Sequence, residues 1–240
     1  VHAGAGRHAR VREGSYCAVM QKACEAGHAA LLCGGSSLDA VEAAIAVLED
    51  DPVSNAGLGS NLSFDGTVEC DASVMEGAAR TFGACGAVSG VPNPVKLAAR
   101  VLRQQQDGPL SLGRVHPVLL VGDGAGRWAE AHGVTVCPAA ALVTAEALSR
   151  WKGYRRLLDQ SEDSEAVGAD RAAAAPAGAD ADADALHDTV GALCCVGGTL
   201  AAGVSSGGVW LKSSGRVGEA AAFGAGCWAQ DAPPGGAAGL

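Results

Sequence analysis

Aromatic residues are scarce in this sequence, making up 4% of its 240 residues. Large rings cannot fill its interior, and the 35 glycines and many alanines imply backbones brought close together through tight turns. Positive charge is also short, with 17 lysines and arginines against 26 aspartates and glutamates and a formal net charge of -9. That balance argues against nucleic acid or an anionic membrane surface as a partner, since both call for a cationic face. No apolar run is long enough to span a bilayer. The opening Val1-His2-Ala3-Gly4-Ala5-Gly6 lacks the basic start and apolar middle of a signal peptide. Because the sequence does not begin with Met, its native start is expected to lie upstream.

No CxxC pair occurs among the nine scattered cysteines, so reduced and mostly buried thiols are expected. The six histidines are dispersed, and none has a cysteine or carboxylate at zinc-site spacing. A catalytic metal is therefore not expected, nor does any motif call for an organic cofactor. The Gly4-Ala5-Gly6 run lacks the full GxGxxG pattern of a phosphate loop.

Hydrophobic residues amount to 48%, enough for the core of one structural domain. Apolar spacing predicts a helix over Ser15 to Leu32, stopped by Gly34-Gly35. A second helix follows a Ser36 or Ser37 cap, ending at Asp51-Pro52. The small residues from Ser54 to Asn61 read as a loop feeding a strand over Thr67 to Met75. Asn93 and Pro94 have the cap and first-turn preferences of a helix running through Gln106. A short buried strand over Val118 to Val121, a short helix over Gly126 to His132 and a helix over Thr144 to Leu158 complete the first part. Between Ser161 and Ala185 the chain is almost all Ala, Asp, Glu and Gly, a composition that cannot bury enough surface to order itself. Beyond it, Thr189 to Val196, a Gly197-Gly198 turn and Thr199 to Ser206 read as a hairpin.

The junction of linker and hairpin, Asp188-Thr189, has the character of a self-cleavage site. Cutting there would make Thr189 an N-terminal residue whose hydroxyl is the nucleophile and whose α-amine, ordinarily titrating near about 7.7 to 8.0, is the base. Taken alone, the Asp-Thr-Val-Gly string fits an ordinary strand start better. The surrounding strings change that balance. Val1 to Gly6, Ser54-Asn55-Ala56-Gly57-Leu58-Gly59-Ser60-Asn61-Leu62, Glu69-Cys70-Asp71-Ala72-Ser73, Asp188-Thr189-Val190-Gly191-Ala192, Ser205-Ser206-Gly207-Gly208 and Gly215-Arg216-Val217-Gly218 occur in the order seen in the plant-type asparaginase family. The sequence resembles that family throughout, apart from the linker and the final ten residues or so. Leu48-Glu49-Asp50, Arg127-Trp128-Ala129 and Gly226-Cys227-Trp228-Ala229 resemble its threonine aspartase (taspase) branch.

This resemblance implies an α+β fold, the four-layer αββα sandwich of N-terminal-nucleophile hydrolases, made as one chain and cut into an α portion (1–188, with the linker at about 161–187) and a β portion (189–240). The family's pattern continues to a Thr/Ser-Gly segment that helps to form the oxyanion hole, so the sandwich is expected to be incomplete at the C-terminus. Thr189 is then the nucleophile and Ser206 the second hydroxyl beside it. Asn55 positions the nucleophile or polarises a carbonyl, and Arg216 binds a substrate carboxylate, a role suited to its planar fork. Glu219 stands where asparaginases hold the substrate amine with an aspartate, whereas a neutral amide is expected in the aspartase branch.

The function expected from that branch is a self-activated endopeptidase acting on protein substrates after aspartate, with Arg216 and Arg10 or Arg12 receiving the acidic side chain. It would be a homodimer of αβ protomers in the nucleus or cytoplasm, although the basic run Arg150 to Arg156 reads as a helix face. An asparaginase or isoaspartyl peptidase acting on small β-aspartyl substrates is the alternative, for which Glu219 is the main argument. A truncated, non-catalytic homologue is the third reading.

Overall fold

In the computed structural model, residues 1–4, 10–165 and 189–232 are described. Helix α1 (Glu13–Leu32) and helix α2 (Ser37–Asp50) form an antiparallel pair. The second starts on a reciprocal cap: Ser36 Oγ accepts the Asp39 N–H (3.2 Å), while Asp39 Oδ2 accepts the Ser36 N–H (2.8 Å). Strands β1 (Cys70–Glu76) and β2 (Thr81–Val88) follow, then α3 (Pro94–Gln106), β3 (Leu119–Val121), α4 (Gly122–Ala131), α5 (Ala145–Glu165) and the hairpin β4 (Val190–Val196) and β5 (Thr199–Ser206). The strands form one sheet in the order β3-β2-β1-β5-β4, antiparallel except where β2 meets β3.

The two faces of the sheet have different cover. Helix α2 lies on β4 and β5, and α3 lies on β1 and β2. Ala72, Val74, Val190, Ala192 and Ala201 join Val41, Ile45, Leu97 and Leu102 in the larger core. The opposite face carries Met75, Phe82, Leu200 and Val204, covered by a short turn at Glu219–Ala221 and by Cys227 and Ala229. Pleat alternation therefore puts Ser205 under the helices and Ser206 on the opposite face. The architecture is mixed α+β, but among the described residues there is one sheet, and the second sheet and outer helix layer of the expected sandwich are not among them.

Several expectations need correction. Strand β2 had no counterpart among the expectations from sequence. Gly83 is there because α3 lies on it: a Cβ would come within 2.3 Å of the Ala98 carbonyl oxygen. Strand β3 is an exposed edge rather than buried, with Leu119 40% and Val121 51% exposed. Helix α5 continues to Glu165, past the expected end at Leu158, since each added residue gains a backbone bond once earlier turns exist. Asn93 does not cap α3. Its amide donates to Asp50 Oδ1 (2.8 Å), and the Val95 N–H of the first turn is taken by Glu49 Oε1 at 2.9 Å. Of the nine free cysteines, Cys70, Cys85 and Cys227 are buried, fewer than expected. No helix among the described residues is long and apolar enough to cross a membrane.

Candidate active site

The antiparallel register sets Val190 opposite Ser205, so one step earlier Thr189 comes opposite Ser206 on the face away from the helices. Thr189 Oγ1 donates to Glu219 Oε1 at 2.9 Å and lies 3.1 Å from Ser206 Oγ. Ser206 Oγ accepts the Gly208 N–H at 3.1 Å. A hydroxyl, a polarised second hydroxyl and a carboxylate thus meet at the residue that precedes β4. Asp188, the other residue of the expected cleavage site, lies outside the described residues, as does the expected linker from residue 166 onward.

Glu219 comes to this point from a turn held by β1. Asp71, fully buried, accepts the Ala87 N–H at 2.7 Å through Oδ1 and the Gly218 N–H at 2.7 Å through Oδ2. One carboxylate thereby joins β2 to the segment that carries Arg216 and Glu219. Arg216 is half-buried and turns back over the same segment. A Cβ on Gly218 would lie 2.7 Å from its Nη1, and one on Gly208 would lie 3.3 Å away. Lys212, 3% exposed, brings its Nζ within 3.2 Å of that same Gly208 position and donates to the Glu69 carbonyl. Two cations therefore stand beside the glycine pair that follows Ser206, a setting suited to a carboxylate.

Asn55 is committed to the protein rather than open to a ligand. Its Oδ1 accepts the Asn61 N–H (2.9 Å), its Nδ2 donates to the Gly208 carbonyl (2.9 Å), and its own carbonyl accepts the Gly207 N–H (2.7 Å). Asn61 Nδ2 donates to the same Gly208 oxygen at 2.9 Å. The loop is stitched to the backbone behind Ser206 so closely that a Cβ on Gly207 would sit 2.4 Å from Asn55 Oδ1. Arg12 is taken up by Glu146 in a surface cleft that also involves Lys22 and Asp51, and Arg10 is exposed in the turn before α1. That cleft and a second one beside Phe82 and Phe223 do not border Thr189.

Three contributors were not singled out from the sequence. His2 pairs its backbone with Gly191 (2.8 and 3.1 Å) and lays its ring over that glycine, where a Cβ would meet Nε2 at 2.3 Å. Its Nδ1 accepts the Gly4 N–H (3.3 Å). Burial lowers the His2 pKa, against the opposing effect of a hydrogen bond to the Thr189 backbone. Asp71 is the second. The third is Glu49, with no exposed surface, whose pKa burial raises to about 8, partly offset by Ser205, the Val95 N–H and Asn93. Glu49 Oε2 and Ser205 Oγ approach without reaching hydrogen-bond geometry, each left without a partner. A proton on Oε2 would satisfy both. The only sequence signal for these residues was their place inside motifs quoted for other reasons. Among the described residues, no group of three or more His, Cys, Asp or Glu side chains is placed to hold a metal.

A family model described as asparaginase matches residues 1–239. The chain is 38% identical over 199 residues to the plant-type L-asparaginase of Pyrococcus horikoshii, covering 82% of this chain and 58% of that protein. It is 35% identical to the plant-type L-asparaginase of Pyrococcus abyssi, covering 96% and 70% respectively. With the isoaspartyl peptidase/L-asparaginase of Xenopus laevis it shares 34% identity, covering 96% and 66%. The chain thus spans less than two thirds of the length of some of these relatives.

Proposed function

The chain belongs to the asparaginase family, and we propose that it is the greater part of a self-activating hydrolase that cleaves the side-chain amide of L-asparagine and β-aspartyl peptide bonds. The observation that carries this reading is the meeting of Thr189 Oγ1 with Ser206 and Glu219 at the start of β4, with Arg216 on the same segment as Glu219. In the proposed cycle, cleavage before Thr189 frees its amine, which takes the hydroxyl proton as Oγ1 attacks the substrate's side-chain carbonyl. Ammonia or an amino acid leaves, and water hydrolyses the β-aspartyl ester on Thr189. Arg216, with Lys212 behind it, receives the α-carboxylate, while Glu219 receives the α-ammonium.

Glu219 also separates this reading from the endopeptidase expected from the aspartase strings. A carboxylate beside the nucleophile suits the free ammonium of a small substrate and repels an acidic peptide. The relatives' names, asparaginase and isoaspartyl peptidase, weigh on the same side. The test is intact-mass analysis of the full-length protein beside Thr189→Ala, followed by assays with L-asparagine, a β-aspartyl dipeptide and an aspartate-containing peptide. A Thr189-dependent cut with turnover of the first two substrates supports the proposal. Turnover of the third alone restores the endopeptidase, and an intact wild-type chain leaves the non-catalytic homologue.

A further inference from the structure

We propose that Glu219 is the catalytic base of the self-cleavage step, before the Thr189 amine exists as a base. The inference rests on the processing proposed above and assigns its proton acceptor. In the uncut chain the nitrogen of Thr189 is an amide, its lone pair delocalised into the preceding carbonyl and unable to take a proton. Some other group must receive the hydroxyl proton. Thr189 Oγ1 bonds to two side chains in the structure, Ser206 Oγ at 3.1 Å and Glu219 Oε1 at 2.9 Å. Ser206 is a hydroxyl like the nucleophile itself and gains nothing by accepting the proton. The carboxylate has only acceptor sites. His2 uses Nδ1 on the Gly4 N–H and its ring bonds to the Thr189 backbone, while Lys212 and Arg216 carry no acceptor at all.

The step balances without a co-reactant other than water. The proton leaves Oγ1 for Glu219 Oε1 as Oγ1 bonds to the carbonyl carbon of residue 188. The C–N bond then breaks, and the Thr189 nitrogen takes the proton back from Glu219. An ester on Oγ1 and a free amine result, and water added to the ester carbon, with the new amine as base, releases the carboxyl of residue 188 and regenerates the hydroxyl.

The turn is held for this task. Asp71 fixes the Gly218 N–H at 2.7 Å, and the Glu219 carbonyl accepts the Ala222 N–H at 3.0 Å. An aspartate on the same backbone would be one C–C bond, about 1.5 Å, shorter, and its oxygen would fall out of direct reach of Oγ1. Once the amine is free, Glu219 is released to the substrate's ammonium. One carboxylate therefore serves two steps in succession.

The experiment is a pulse-chase of the full-length protein made in a cell-free system, followed by intact mass for wild type, T189A, E219Q, E219D and E219A. General-base loss predicts that E219Q and E219A cleave about 100-fold or more slowly, with E219D between them and wild type. Added formate should accelerate E219A in proportion to its concentration and leave T189A whole. Cleavage of E219Q within about threefold of wild type overturns the proposal. So does slow cleavage of E219A that formate fails to restore at an unchanged melting temperature, since that is a structural role. A wild-type chain that stays whole overturns the processing reading itself, and is told apart because no variant is involved.

Discussion

Thr189 and Ser206 face one another across the β4–β5 hairpin with their hydroxyl oxygens 3.1 Å apart, on the side of the sheet that the helices leave free. Hairpin register alone makes this pair, since the two residues follow directly from the Val190 and Ser205 partners. Ser206 is itself held by the Gly208 N–H. Removing its oxygen leaves that N–H and Thr189 Oγ1 each short of a partner. Ser206→Ala is expected to lower turnover of L-asparagine about tenfold to a hundredfold with an unchanged fold, whereas Ser206→Thr keeps most of it. Steady-state kinetics with circular dichroism checks both.

Asn55 is expected to act through the backbone behind Ser206. Asn55→Ala deletes bonds to the Asn61 N–H and the Gly208 carbonyl. A loss of about 1–3 kcal/mol in stability should follow, accompanied by lower kcat. Thermal melting shows the first effect. A variant that melts like wild type but raises only KM would make Asn55 a substrate ligand instead.

Arg216 binds the α-carboxylate in the proposed cycle, so its loss should appear in substrate affinity. Arg216→Ala is expected to raise KM for L-asparagine about tenfold to a hundredfold, since hydrogen bonds to charged groups contribute about 1.5–3 kcal/mol. Arg216→Lys keeps the charge without the fork and should fall between. Equal KM in all three proteins would remove Arg216 from the site.

Glu49 makes stability depend on pH. Its carboxyl ordinarily titrates at 4.5 and is raised by burial to about 8 in the folded chain, so between those values the folded state holds a proton that the unfolded state has lost. Stability is therefore full below the lower value and falls as pH rises towards the upper one, by up to about 1.4 kcal/mol per pH unit from this group. Glu49→Gln keeps an acceptor for the Val95 N–H and gives Ser205 Oγ a donor. Denaturant melts from pH 5 to 8 should show the slope in wild type and a flatter profile in the variant. Parallel slopes would mean that Glu49 is ionised in the fold.

The sequence by itself determined the helices whose caps and apolar spacing are local, such as the Ser36–Asp39 cap and the Pro94 start of α3, and the hairpin punctuated by Gly197-Gly198. It also named Thr189, Ser206, Arg216 and Glu219 through strings that short-range chemistry and family resemblance make readable. Tertiary structure decided what depends on residues far apart in the chain. Strand β2 has a bare Gly83 because α3 lies directly on it, a contact that only the fold creates. Asn93 had a cap's identity, yet Glu49 of α2 took the N–H of α3, a choice made when two helices pack. Glu219 reads as a substrate ligand in sequence, but only folding puts it 2.9 Å from Thr189 Oγ1, because Asp71 of β1 holds the turn that carries it. Local strings specify which groups are available, whereas hydrogen-bond partners and reach depend on the paths of the other strands.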